Sequence, residues 1–443
     1  MAARPKSLAI WMNGSLVGTW AIGPDRQDTL IYDNQWYATP NRLPLSLSLP
    51  MSIPGAELKG TAVASYFDNL LPDSVEIRRR IAGRYGLQST SAFELLSAIG
   101  RDCVGAIQLL DPGALPTGWD RIEASPMSNE KVRDHLRSVT VSPSLAVKED
   151  LRISIAGAQE KSGLLELHNA WWMPHHATPT NRILKLALGS IGGGLIPLHN
   201  SIENEWLCAQ ILKGYDIPVA ECEIKDFAGT SALSVHRFDR QLVEHANGST
   251  LYRLPQEDFC QVLAMPPHLK YESDGGPGFL AIAHVLRSSA NAQADITTLF
   301  QAQVLFWMLL GVDGHAKNFS IMLRANGRYQ LAPLYDVISM WPYAGHGAGK
   351  ASLHKLKMAM AVVGESGKHY VWSKIQRRHF EHMGFLAGIA DPAGVIDALI
   401  ARTPAVIRAV RSALPADFPS AISHAIFSGV VDAALKLGRA ASN

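Results

Sequence analysis

Cysteine is scarce in this sequence. The 443 residues hold four, Cys103, Cys208, Cys222 and Cys260, with neither the close pairing of a zinc site nor the density of a secreted disulfide scaffold, so buried free thiols are expected. Charge of one sign is equally lacking. Forty-one basic residues against thirty-nine acidic ones leave a formal charge of +2, too little for the overall field to draw nucleic acid. The most apolar run, Val304 to Val312, is far shorter than the ~20 residues of a membrane helix and reads as a core helix. The first residues, Met1 to Ser7, show no apolar segment or cleavage site of a signal peptide. The expectation is a cytoplasmic chain that meets no membrane. There is no internal repeat and no low-complexity segment.

What is present suits an ordinary globular enzyme: 47% hydrophobic and 18% charged residues, in a chain long enough for two or three packed lobes. Leu8 to Met12, Asn13-Gly14 and Leu16 to Ile22 read as a hairpin, because Asn-Gly supplies the positive φ angles of a type I′ turn. Leu43, Leu45, Leu47 and Leu49 alternate with Pro44, Ser46 and Ser48 in a strand-like period of two, and Asp73 to Glu76 resembles a capping box before a helix carrying Arg78, Arg79 and Arg80. Those arginines read as a solvated helix face. Residues 1–110 form a small α+β subdomain on this reading, and 111–150 a linker with a helical segment near Glu130 to Ser138. Residues 151–260 are β-rich, with strands Leu164 to Leu167 and Ile183 to Leu188 and a helix near Glu203 to Leu212. Residues 261–443 are mainly helical, ending in segments near Trp372 to Ile389, Pro392 to Leu414 (interrupted at Pro404) and Phe418 to Leu437.

The chemistry concentrates in Gly311-Val312-Asp313-Gly314-His315-Ala316-Lys317-Asn318, directly after the apolar stretch Val304 to Leu310. Asp313 and Asn318 stand five apart, the spacing at which a kinase catalytic loop holds its hydroxyl-orienting Asp and a magnesium-binding Asn. Lys317 between them could meet a transferring phosphate. Downstream, Gln330 to Asp336 reads as a strand ending in Tyr335-Asp336, and a carboxylate there suits Mg²⁺, a hard cation shared with phosphates. The competing reading is that both aspartates cap turns; the ordered set Asp, Lys, Asn, Asp argues against it. Lys185 sits in the apolar strand Ile183-Leu184-Lys185-Leu186, where a charge needs an anion such as ATP phosphate, unless it snorkels from an edge strand. Glu205 on the following helix is a candidate partner for it. Ser154 to Lys161 holds small residues whose backbone could approach phosphate oxygens, or is a plain hairpin turn. His236-Arg237-Phe238 follows a strand at Ser231 to Val235, where a hinge contacting adenine would fall. Gly349-Lys350 and Gly367-Lys368 lack the rest of a Walker loop, no G-x-S-x-G elbow occurs, and the histidines lack metal-ligand spacing.

With these residues in view the chain strongly resembles the HipA toxins, kinases of bacterial toxin–antitoxin pairs. The resemblance is carried by Leu45-Ser46-Leu47-Ser48-Leu49-Pro50, Phe67 to Pro72, Ile99 to Asp102, Ile153 to Lys161, Arg237 to Arg240, Leu254 to Asp258, Tyr271 to Gly278 and Asp313 to Asn318. It implies an α+β, two-lobed protein-kinase-like fold with an added N-terminal subdomain and a helical C-terminal lobe. It also implies ATP and Mg²⁺ as cofactors. By similarity Asp313 is the catalytic base, Asn318 and Asp336 hold Mg²⁺, Lys185 contacts ATP phosphates, and the loop Ala156, Gly157, Ala158, Gln159, Glu160, Lys161 covers them. Backbone at His236, Arg237 and Phe238 would meet adenine, with His315 and Tyr335 beside the nucleotide. Many relatives carry Glu where His236 stands. Ser154 matches the autophosphorylated serine whose modification silences the kinase. The implied partners are a HipB-like helix-turn-helix antitoxin, operator DNA indirectly through it, and an aminoacyl-tRNA synthetase as substrate, glutamyl-tRNA synthetase in the best-known branch. Competing functions are a small-molecule kinase and a non-catalytic co-repressor scaffold.

Overall fold

A computed structural model of the chain describes residues 6–40, 42–140, 153–154, 159, 161–191, 196–347 and 349–439. The chain forms two compact units, one from residues 1–186, 225–268 and 321–329, the other from 187–224, 269–320 and 330–443.

In the first unit, strands Lys6–Met12 and Ser15–Ile22 form the expected hairpin, with Asn13 at φ 42° and Gly14 at φ 82° in the turn. They sit inside a five-stranded sheet with Asp28–Tyr32, Glu57–Lys59 and Ile107–Leu110. Helices Thr61–Asp68, Val75–Tyr85 and Ala92–Ile99 accompany the sheet, and its core centres on Trp20, whose ring stacks on Phe67 at 3.8 Å. The cap of the second helix is Ser74, accepting from Ile77 N, one residue later than the sequence pattern suggested. Arg78 is not a solvated side chain: it bonds Asp68 and the Pro72 carbonyl.

The leucine alternation at 43–49 is not a strand but a turn, closed by Leu49 N donating to Ser46 O. Pro44 and Pro50 cannot donate to a ladder. The intervening polar groups bond the protein instead, Ser48 Oγ to Gln261 O at 2.7 Å and Leu47 N to Glu257 Oε1 at 2.9 Å.

Five strands of a second, six-stranded sheet lie in the same unit, in the order Ser231–His236, Arg182–Lys185, Lys161–Leu167, Ala170–Pro174 and Ala124–Met127. The last strand lies within the stretch read as linker. Helix Asn129–Thr140 covers this sheet, setting Val132 and Leu136 among Leu164, Trp171, Leu184 and Phe227.

The second unit is mainly helical. Helix Ala292–Met308 is its buried spine, and Trp307 stacks on Trp372 at 5.1 Å with each indole N–H donating to the other's carbonyl. Around it lie Ser201–Gly214, Phe279–Leu286, the hairpin Lys357–Gly364 and Gly367–Val371, and helices Arg377–Ala387, Pro392–Ser412 and Ser420–Arg439. Pro404 does not interrupt its helix. Ile396 and Leu399 before it and Val406, Ile407 and Val410 after it are buried, so packing on both sides outweighs one missing N–H. Ser420–Arg439 is long and apolar enough to cross a membrane by length and composition alone, with half of that stretch buried in the protein.

Candidate active site

The second unit holds the chemical loop. The spine helix ends at Met308, and Leu310 takes φ 52°, turning the chain sharply while Gly311 N bonds Phe306 O at 2.7 Å. Gly314 passes so close to the spine that a Cβ there would lie 2.3 Å from Phe306 Cδ2. Ala316–Asn318 then makes one 3-10 turn. His315 N donates to Asp313 O, Asn318 N to His315 O, and Asn318 Nδ2 to Asp313 O at 2.7 Å. Asp313 is therefore presented on a closed loop, its side chain 62% exposed, while His315, Lys317 and Asn318 are buried.

Further groups converge on this loop within the unit. Tyr271 Oη donates to Asp313 Oδ1 at 2.6 Å, and His315 Nε2 stands 3.9 Å from the same oxygen. Tyr335 Oη donates to Lys317 O at 2.9 Å and bonds Ser320 Oγ. Asp336 follows at φ 63°, an unfavourable conformation for a residue with a side chain and a recurrent mark of functional positions. The strand before it, Tyr329–Leu331, is shorter than the sequence suggested; Leu334 instead bonds the backbone of Pro218 and Ala220. Beyond it, Ser339 is anchored by a two-way bond with the Asn204 amide.

The donor set suits magnesium. Asn318 Nδ2 donates to Asp313 O, which leaves the amide oxygen as its acceptor group, and Asp336, eighteen positions on, is a carboxylate. One carboxylate and one amide oxygen are what a Mg²⁺ site shared with nucleotide phosphates uses.

The first unit holds the remaining predicted residues apart from Glu205, which is buried on helix Ser201–Gly214 of the second unit. Lys185 lies on an interior strand, flanked by Lys161–Leu167 and Ser231–His236, and is 5% exposed. It is not an edge-strand lysine reaching water. Gln159 Nε2 donates to Leu186 O at 2.5 Å, and Lys161 pairs in register with Lys185. Ala156, Gly157, Ala158 and Glu160 lie outside the described residues. Ser154 is described by its backbone alone, in a parallel ladder that matches Cys103 with Ser154 and Asp102 with Ile153.

Arg237 has a different setting from its neighbours His236 and Phe238, which are half-buried. Its backbone N bonds Asn181 O, while its guanidinium is fully committed inside the unit, to Asp239, Asp102 and the Cys103 carbonyl. Arg240 and Arg253 reach the same Asp102 carboxylate, which Thr180 also bonds through N and Oγ1. Burial alone would raise the Asp102 carboxyl, but the guanidiniums of Arg240, Arg237 and Arg253 overcome that and hold it well below the usual carboxylate range. Sequence reasoning missed this cluster and the Tyr271 contact. The Tyr271 to Gly278 and Arg237 to Arg240 segments were visible as motifs, but partners more than forty positions away leave no periodic trace.

Residues 8–110 match the model of the HipA N-terminal domain, and residues 153–410 that of the HipA-like C-terminal domain. A putative kinase, Y4mE, of Sinorhizobium fredii is 32% identical over 345 residues, covering 76% of this chain and 78% of the relative. The serine/threonine-protein kinase toxin HipA of Shewanella oneidensis is 24% identical over 380 residues, 82% of this chain and 79% of the relative. The fold matches that of the solved Shewanella oneidensis HipA, HipB and operator DNA complex with a TM-score of 0.77 at 20% identity, covering 96% of both chains. The architecture is thus the α+β, two-lobed kinase-like one.

Proposed function

This chain belongs to the HipA family, and we propose that it is the toxin of a toxin–antitoxin pair, a serine/threonine protein kinase that uses ATP and Mg²⁺. The observation that carries the reading is the 313–318 loop: an exposed Asp313 carboxylate on a loop that follows the buried helix Ala292–Met308 and is closed by the 2.7 Å hydrogen bond from Asn318 Nδ2 to the Asp313 backbone carbonyl. Positioning, more than covalent chemistry, is what phosphoryl transfer asks of a protein.

On this reading Asp313 accepts the proton of a substrate Ser or Thr hydroxyl, and Lys317 lies beside the transferring group. Asn318 and Asp336 would hold the metal; Lys185 would meet ATP phosphates, with Ala156 to Lys161 covering them. Backbone at His236, Arg237 and Phe238 would face adenine, and His315 and Tyr335 would border the nucleotide. Mg²⁺ supplies charge neutralisation on the phosphates when bound. Because the Arg237 side chain is locked into its ion network, only the backbone of that residue is left for the nucleotide.

The proposal extends to a translation target, an aminoacyl-tRNA synthetase with glutamyl-tRNA synthetase first, so that growth arrest follows. It extends also to a HipB-like antitoxin that carries this protein to operator DNA, to self-silencing by phosphorylation of Ser154, and to a cytoplasmic location. The fold match to a HipA solved together with HipB and operator DNA supports the partner. The test is incubation of the phosphatase-treated protein with γ-labelled ATP and Mg²⁺, with phosphosite mapping, beside Asp313→Asn. Label on Ser154 in the wild type and none in the folded variant is expected. ATP binding without any transfer to protein would favour a co-repressor scaffold, and transfer only to small hydroxyl compounds a small-molecule kinase.

A further inference from the structure

One side chain without an assigned role touches the proposed base. Tyr271 Oη donates to Asp313 Oδ1 at 2.6 Å, a short hydrogen bond to a carboxylate and of the stronger kind. Tyr271 sits in neither helix nor strand; it precedes the 3-10 turn Glu272–Asp274, and its position is fixed from both sides. On one side the Lys270 carbonyl accepts from Ala316 N of the chemical loop at 3.3 Å. On the other, buried Glu272 accepts from Ala361 N at 2.6 Å and pairs with Lys368 at 2.8 Å. The turn tolerates no side chain where it closes: a Cβ at Gly276 would fall 1.9 Å from Leu269 O, and one at Gly278 would fall 2.2 Å from Glu272 Cδ. The Tyr271 ring stands edge-on to the His315 imidazole, 5.0 Å between centroids at 90°. The phenol therefore reaches the exposed Asp313 carboxylate from a backbone braced on both sides.

We infer that Tyr271 is a positioning residue for phosphotransfer: its hydroxyl fixes the orientation in which the Asp313 carboxylate receives the substrate hydroxyl. The inference rests on the kinase reading above. In the step it serves, the substrate oxygen bonds the γ-phosphorus as its proton passes to Asp313. The bond from that phosphorus to the β,γ-bridging oxygen breaks, and ADP leaves with the electron pair. Tyr271 forms and breaks no covalent bond. A short hydrogen bond to one carboxylate oxygen favours one orientation of the carboxylate, and a misaligned acceptor slows transfer without weakening nucleotide binding.

The experiment uses the phosphatase-treated full chain with γ-labelled ATP·Mg²⁺ and myelin basic protein as acceptor, measuring kcat, KM for ATP and label on the chain itself. Tyr271→Phe removes one oxygen from a half-buried ring and is expected to keep the melting temperature and KM for ATP while cutting kcat by on the order of tenfold. Tyr271→4-aminophenylalanine, which restores a donor on the same ring, is expected to recover most of that loss; a merely structural phenol would give no such recovery. A Phe variant as fast as wild type, or faster because the phenol had occupied the substrate's place, overturns the inference. So does a slow Phe variant that the amino ring fails to rescue. A wild type that labels neither acceptor nor itself overturns the kinase reading and this inference together, whereas an active wild type with an unaffected Phe variant sinks this one alone.

Discussion

Two buried carboxylates of the first unit show how neighbours decide what burial does. Asp102 is surrounded by guanidiniums and stays ionised. Glu257 is just as buried but has only the Ser46 hydroxyl and Leu47 N–H to lower its pKa, so burial pushes its carboxyl up to about 8 from an ordinary 4.5. The folded chain therefore keeps a proton that the unfolded chain releases. Its contribution to stability is full below the ordinary carboxylate range, declines as pH rises, and is lost once pH passes through about 8. Glu257→Gln, which keeps the shape and the acceptor for Leu47 N, is expected to flatten that slope and to be the more stable protein at pH 8 by on the order of a few kcal/mol. Urea unfolding of both proteins at pH 5 and pH 8 measures it; parallel pH dependences would show that Glu257 is ionised in the fold.

Elements carry the chemistry by bringing rigid backbone to it. The spine helix places Phe306 against Gly314, so Gly314→Ala should push the loop that bears Asp313 off its platform. A loss of about 1–3 kcal/mol in stability is expected, with a larger proportional loss of phosphotransfer. Melting and label incorporation on one preparation separate the two, and a variant that keeps both would mean Phe306 can swing aside. The elements that were legible from sequence are those whose signal is local. Asn13-Gly14 forces its turn, and the Asp313 to Asn318 spacing lies within one loop. Those that were not legible depend on distant partners. The leucine alternation at 43–49 mimics a strand until Gln261 and Glu257 claim its polar groups. Pro404 reads as a break until the packed faces on either side hold the helix together. Lys357–Gly364 is almost continuously buried, so it has no alternation to betray a strand. Tyr271 and Asp102 stand in segments that carry the resemblance, but nothing in a window of ordinary length discloses their distant partners.

Across the molecule, Asp102 is the point where the N-terminal segment meets the rest of its unit. Asp102→Asn leaves Arg237, Arg240 and Arg253 buried with Asp239 as the remaining carboxylate of the cluster, and breaking such a buried arrangement costs about 3–5 kcal/mol. Urea unfolding of the variant is expected to show a loss of that order; under about 1 kcal/mol would mean the guanidiniums find water or share Asp239.

The same cluster says something about descent. The two family matches end and begin at residues 110 and 153, yet Asp102, Cys103 and Gly105 on one side bond Arg237, Asp239 and Arg240 on the other, and the Asn13 amide clasps the backbone of Arg253 in both directions. A gene exchange that replaced residues 8–110 with a relative's would have to deliver a carboxylate where Asp102 stands, or leave three buried guanidiniums with Asp239 as their one remaining carboxylate in the cluster. The two segments can diverge in sequence, but in lineages that keep the three arginines they are heritable only as a pair.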